Sequence, residues 1–130
     1  MSNEKKEFNI LVVEDNPGDF ALVKEFLQEQ TDVFNLFHAW TFKESAEFLK
    51  SGFQKFDIIL LDLSLPDKTG LLLIEEIVAL SLNTPVIVLT GYTDVAFGIK
   101  SLSSGVSDYI LKDELTPMSL YKSIIYSSER

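Results

Sequence analysis

The chain has 130 residues, 46% of them hydrophobic and 24% charged, which suits one globular domain with an ordinary core rather than a disordered segment. A formal net charge of −9 argues against direct binding to nucleic acid or to an anionic membrane surface. With no cysteine, a disulfide framework, a thiolate metal site and a cysteine nucleophile are excluded, and a reducing compartment fits.

In chain order, residues 1–7 read as a flexible, solvated tail; their charge rules out a signal peptide. No apolar run approaches the roughly 20 residues that a membrane helix needs. Phe8 to Val13 ends in Ile10-Leu11-Val12-Val13, a short buried strand that stops at Glu14-Asp15. Asn16-Pro17-Gly18-Asp19 is turn chemistry. A helix from about Asp19 to Gln30 follows, with Phe20, Val23, Phe26 and Leu27 on one stripe. Val33 to Trp40 is aromatic and β-branched, as in a strand. Thr41 caps the next helix, with Glu44 in capping-box register, Phe42, Ala46 and Leu49 inward, and Gly52 after its end.

Phe56-Asp57-Ile58-Ile59-Leu60-Leu61-Asp62 is the stretch around which the rest is organised. Four consecutive apolar residues between polar stops read as a strand covered on both faces, and Asp62 sits at its carboxyl end. A loop, Leu63 to Gly70, leads to a third helix over 71–82, predicted to turn Leu72, Ile74, Ile77, Val78 and Leu82 inward. Thr84-Pro85 breaks it. Val86 to Leu89 is a buried strand ending at Thr90-Gly91, and Thr93 or Asp94 caps a helix to about Ser103, weakened by Gly98. Asp108 to Leu111 is the last strand and ends at Lys112. Thr116-Pro117 opens the final helix, a cap with proline at the first helical position.

Strand and helix thus alternate five times with short connections, which predicts an α/β, doubly wound parallel sheet with helices on both faces. In such a sheet the strand ends carrying Glu14-Asp15, Asp62, Thr90 and Lys112 all point to one rim. Three acids on one rim repel unless a cation neutralises them, and oxygen donors without imidazole or thiolate select a hard ion such as Mg²⁺. A carboxylate so placed can attack a phosphoryl group, with Thr90 donating to one phosphoryl oxygen and Lys112 neutralising another.

Singly, each of these residues has an ordinary reading. Asp62 and Glu14-Asp15 suit turns, Thr90 suits a cap, Lys112 suits a surface and Tyr109 suits a half-buried strand. Their agreement on one edge favours a site. His38, the one histidine, reads as structural; Trp40, with Phe34, Phe37 and Phe42, reads as core or helix packing.

The ordered set Glu14-Asp15, Asp62, Pro66 with Gly70, Thr90-Gly91, and Gly105 through Asp108-Tyr109 to Lys112 resembles the receiver domain of two-component response regulators, over residues 8–130. The resemblance implies a flavodoxin-like sheet of five strands in the order 2-1-3-4-5 with five helices. It implies that Asp62 is the phosphoacceptor, served by a histidine kinase or phosphotransfer protein. Asp15 would bind Mg²⁺ directly, Glu14 largely through water, and the backbone carbonyl of Ser64 would be a further ligand. Thr90 and Tyr109 would be the coupled switch pair. The output surface would lie around the last two helices and the last strand, facing a covalently linked or separate output module, with a homodimer through the last helix as another use. Cytoplasmic signalling, rather than turnover of a separate substrate, is the expectation.

Three features depart from the family pattern. Asp113 follows Lys112 where proline is usual, so a trans bond is expected, a non-proline cis bond costing roughly 3 kcal/mol. The acidic pair is Glu-Asp rather than Asp-Asp. Ser64 and Tyr92 flank the site, where residue identity tunes phosphate lifetime. The chain is expected to be a stand-alone receiver or one cut from a longer signalling protein. The competing readings are a Mg²⁺-dependent phosphatase of the haloacid-dehalogenase type, a nucleotide-binding domain and a degenerate receiver that only binds. The first wants an Asp where Ser64 stands, and the second is opposed by Glu14-Asp15 at the place phosphates would enter.

Overall fold

Three apolar runs carry the fold: Ile10–Val13, Ile58–Leu61 and Val86–Leu89 are all at most 4% exposed. Strands buried on both faces need helices on both sides, and parallel pairing with crossover helices provides them. The structure, a computed structural model, describes residues 7–91 and 95–129, Val95 by its backbone alone. The elements are β1 (Phe8–Val13), α1 (Pro17–Gln30), β2 (Phe34–Ala39), α2 (Phe42–Ser51), β3 (Ile58–Asp62), α3 (Gly70–Ser81), β4 (Val86–Thr90), α4 (Val95–Ser103), β5 (Asp108–Leu111), a 3₁₀ turn (Lys112–Glu114) and α5 (Pro117–Ser128). The five strands are parallel, as the alternation predicts, and run in the order β2-β1-β3-β4-β5 that the resemblance implies.

Alternation along each strand divides the core in two. Leu11, Val13, Ile59, Leu61, Val86 and Val88 pack with Leu73, Ile74 and Ile77 of α3 and with partly buried residues of α2 and α4. Ile10, Val12, Ile58, Leu60, Ile87 and Leu89 pack with Val23 and Leu27 of α1 and Leu120 and Ile124 of α5. Truncating any of these fully buried leucines or isoleucines to alanine would cost about 2–5 kcal/mol, so the strand ends rest on a stiff platform. Among the described residues no helix is long and apolar enough to cross a membrane.

Local chemistry sets the boundaries. α1 begins at Pro17, two residues before the predicted start, because Asn16 is its cap: Oδ1 accepts from Gly18 N (2.8 Å) and Asp19 N (3.1 Å). Thr41 caps α2 by accepting from Glu44 N, but the Glu44 carboxylate reaches back one residue further than a capping box requires, to Trp40 N. A reciprocal capping box forms instead at α5, between Thr116 and Ser119. Gly52 ends α2 at φ 72°. Glu7, assigned to the tail, already accepts from Asn35 Nδ2; residues 1–6, Tyr92 and the α4 cap at Thr93 or Asp94 lie outside the described residues.

Two packing expectations are corrected. In α3 the inward residues are Leu73, Ile74 and Ile77, while Leu72 is 58% exposed and Leu82, one residue past the helix, is 84% exposed. Four consecutive apolar residues, Leu71 to Ile74, leave the helical phase undetermined in sequence. Trp40 is not in the core but 43% exposed, its ring tilted over His38 at 4.1 Å. Phe37, by contrast, packs edge-on to Phe48 and Phe56.

The loop after β3 is tied to α2. The Asp67 carboxylate accepts from Phe42 N (2.9 Å) and Lys43 N (3.0 Å), two amides that the first turn of α2 cannot satisfy itself. Desolvation acts to raise its pKa, but these hydrogen bonds outweigh it and hold the carboxyl below its ordinary value. Its contribution is therefore present above the unfolded carboxylate pKa and lost as pH falls through the depressed folded value. Asp67→Ala is expected to lower the unfolding free energy at neutral pH by about 1 kcal/mol. In urea titrations the gap between the two proteins should close on acidification; a gap constant with pH would contradict the role given to the carboxylate.

Candidate functional site

The register of the sheet brings the polar strand ends together stepwise. Val13 pairs with Leu61, Asp62 with Leu89, and Thr90 with Leu111. The residues that follow β1 and β5, Glu14 and Lys112, therefore emerge beside Asp62 and Thr90. The winding also reverses here, β1 leading to β2 on one side and returning to β3 on the other. A crevice forms at such a switch point, outside the carboxyl ends of the strands.

Lys112 is the hub. Its Nζ lies 2.7 Å from Asp19 Oδ2, 3.1 Å from Glu14 Oε1 and 3.1 Å from Asp62 Oδ1. Carboxylate oxygens of Glu14, Asp15 and Asp62 lie within 4.8 Å of one another. Glu14 and Asp62 are buried and Asp15 is exposed. These groups, with Asn16, Asp19, Ser64, Gly91 and Lys112, line an open hollow of about 460 Å³. A larger hollow, about 760 Å³, lies between α1 and β2, but among the described residues lining it Lys24 and Asp32 are the only charged ones.

The electrostatics follow from crowding. Burial, then the Asp62 charge, push the Glu14 carboxyl up to about 7, and Lys112 and Asn16 N only partly oppose them. Burial works to lower the Lys112 pKa, but the Asp19 hydrogen bond and the Asp62 and Glu14 charges outweigh it, so the ammonium stays above its ordinary value and charged. Among the described residues lining the hollow, one cation, Lys112, stands with four carboxylates and touches three of them. All the acidic donors are hard oxygens, and the set fits a divalent hard cation better than a soft one.

Thr90 is buried at the end of β4. Val88, two residues earlier, lies opposite Tyr109, so Thr90 and Tyr109 share the α4 side of the sheet. The Tyr109 ring rests against Gly98, where an added Cβ would meet it at 3.5 Å, and lies 6.4 Å from the Phe97 ring. The glycine that weakens α4 in isolation thus makes room for the tyrosine. Ser64 borders the hollow and pairs with Thr69 across the loop. The Lys112–Asp113 bond is trans, as expected without proline. Asp19, read in sequence as a turn residue, is the closest partner of Lys112. Its position in the first turn of a helix that starts right after the acidic pair is the signal that could have found it.

The family model of the response regulator receiver domain matches residues 10–124. The chain belongs to this family. As a receiver domain of two-component response regulators, it is 33% identical over 103 residues to the transcriptional regulatory protein CiaR of Streptococcus pneumoniae, covering 79% of this chain and 44% of CiaR. A CheY-like receiver domain protein from Methanospirillum hungatei has 27% identity and a TM-score of 0.80, covering 95% of each chain. The phosphorylated cyanobacterial phytochrome response regulator RcpA has 27% identity and a TM-score of 0.75, over 91% of this receiver and 89% of that chain. The receiver spans less than half the length of the curated relatives it matches, 24% of a Methanothrix harundinacea methanogenesis regulator and 43% of the Caulobacter vibrioides regulator CtrA among them.

The raised Glu14 pKa has a consequence for stability. A carboxyl whose folded pKa exceeds its unfolded value contributes stability present below the unfolded value and lost as pH rises through the folded one. Without divalent cations, Glu14 should therefore destabilise the receiver as pH rises from the ordinary carboxyl value of 4.5 through about 7. Glu14→Gln should flatten that slope in denaturation midpoints taken from about pH 5 to about pH 8 in chelator. An unaltered slope would contradict it.

Proposed function

We propose that this receiver takes a phosphoryl group onto Asp62 from a phosphohistidine of a histidine kinase or phosphotransfer protein, with Mg²⁺ bound. The observation that carries the reading is the meeting of three carboxylates within 4.8 Å with the Lys112 ammonium 3.1 Å from Asp62. Asp15, Glu14, Asp62 and the Ser64 backbone carbonyl would hold the ion. When bound, Mg²⁺ neutralises phosphoryl oxygens and the acids around them.

The chain's own residues carry the remaining chemistry. An Asp62 carboxylate oxygen forms the O–P bond as the N–P bond of the donor breaks, and the imidazole keeps the electron pair. Lys112, charged at any physiological pH, exchanges part of its contact with Glu14 and Asp19 for a phosphoryl oxygen. The Thr90 hydroxyl donates to another. Thr90 thereby moves, and Tyr109, on the same side of the sheet, turns inward and alters the surface of α4, β5 and α5. That surface exposes Ile99, Leu102 and Tyr126, which suits a covalently linked or separate output module, or a second copy through α5, in the cytoplasm. The acyl phosphate then hydrolyses within the same site, so the receiver is a self-modifying switch rather than an enzyme with a separate substrate.

Incubation with Mg²⁺ and a small acyl-phosphate or phosphoramidate donor should add one phosphoryl group by mass, and Asp62→Asn should abolish the gain. Lys112→Ala should still take up phosphate but fail to change the output surface. No gain with any donor or kinase would leave only a binding module. Steady turnover of a phosphoester would favour a phosphatase.

A further inference from the structure

Glu14 stands where two elements stop together. The parallel pairing of β1 with β2 ends at Val13 and Ala39, and Glu14 N makes the last ladder bond, to Ala39 O at 3.0 Å. In a parallel ladder the next rung, onto Glu14 O, would come from the Thr41 amide two residues past Ala39; β2 ends at Ala39, and Thr41 is already the cap of α2. No β2 strand residue therefore continues the ladder to the Glu14 carbonyl. That carbonyl belongs to the peptide between the two acidic residues, so its orientation sets where both carboxylates point.

His38 fills the gap. Its Nε2 lies 2.7 Å from Glu14 O. A carbonyl only accepts, so Nε2 carries the proton and donates. The ring is held from both sides: Phe20 of α1 stacks on it at 3.8 Å with an interplanar angle of 2°, and Trp40 covers it at 4.1 Å. A ring gripped this way has little freedom to turn, and a donor with a fixed direction positions its acceptor. Glu14 is then held at four atoms: N by Ala39, O by His38, Oε2 by the Asn16 amide at 3.2 Å, and Oε1 by Lys112.

We propose that His38 is a positioning residue for the acidic pair, its Nε2–H replacing the missing ladder donor so that Glu14 and Asp15 face the cation together. The cation part rests on the Mg²⁺ reading above; the positioning of the Glu14–Asp15 peptide does not.

The test uses the whole receiver and two substitutions. His38→Phe keeps a flat ring between Phe20 and Trp40 but has no donor; His38→Gln keeps an N–H at similar reach. In the metal-free wild type, ¹⁵N spectra of the imidazole should show the proton on Nε2. Calorimetric titration with Mg²⁺ should give a dissociation constant about 10-fold weaker in His38→Phe and largely recovered in His38→Gln, with both variants folded by urea titration. A proton on Nδ1, wild-type affinity in His38→Phe, or a His38→Gln as weak as His38→Phe would overturn the proposal. If the wild type takes up no Mg²⁺, the metal reading falls alone. Positioning is then decided by hydrogen exchange at the Asn16 amide, which must quicken in His38→Phe and not in His38→Gln; equal exchange in all three would overturn it.

Discussion

The constraint on which this receiver depends is the repulsion of carboxylates forced together by a sheet that cannot move apart. Glu14 and Asp62 are buried within 4.8 Å of each other at the ends of strands paired along their length. At an effective dielectric of about 20, two full charges at that separation cost about 3 kcal/mol. The strands stay because their apolar runs are buried on both faces, and burial at roughly 25 cal/mol per Å² across two cores outweighs one such pair. Lys112 offsets much of the repulsion by standing 3.1 Å from each buried acid, but it also serves Asp19, and Asp15 is left over. The remaining negative charge is met by protonating Glu14, whose pKa rises to about 7, or by a second cation. Fold stability and site chemistry thus oppose each other at the same atoms.

Much of this was legible in sequence, for a physical reason. A strand covered on both faces must be apolar throughout, so its end is marked by the first polar residue, and that residue is the one delivered to the rim. Asp62, Glu14-Asp15 and Thr90 are found in this way, Lys112 follows the apolar pair Ile110-Leu111 of an edge strand, and parallel topology places them all on one edge. Other features depend on information that periodicity does not carry. The phase of α3 was lost because Leu71 to Ile74 are all apolar, so Leu72 and Leu73 look alike until the helix start is fixed. Residue type alone assigns Trp40 to packing, although it is the exposed end of a stack on half-buried His38 and Phe20. Asp19 became visible as a site residue only once Asn16 fixed the first turn of α1. His38 donates to a backbone carbonyl, and no side-chain motif reports a backbone acceptor.

The rim is anchored from two sides. At the β2 end, Ala39 and His38 hold the backbone of Glu14; at the β5 end, Lys112 holds its side chain. The loop after β3 is fastened separately, with Asp67 on the first turn of α2 and Lys68 paired with Glu76 while its ammonium lies over the Phe42 ring. On the α4 side, Tyr109 is half-buried against Gly98 and Phe97. A firmly held acidic end with an aromatic contact on the neighbouring strand suits the proposed switch, since the phosphoryl group must be held while its presence is transmitted elsewhere.

If the acidic cluster is a cation site, Mg²⁺ must stabilise the folded receiver by mass action, since the unfolded chain does not bring these carboxylates together. The most direct measurement is the unfolding midpoint as a function of Mg²⁺ concentration. The account predicts a midpoint that rises and follows a single-site binding curve in the wild type, with the rise strongly reduced in Asp15→Asn. A midpoint indifferent to Mg²⁺, or a rise of equal size in Asp15→Asn, would contradict it.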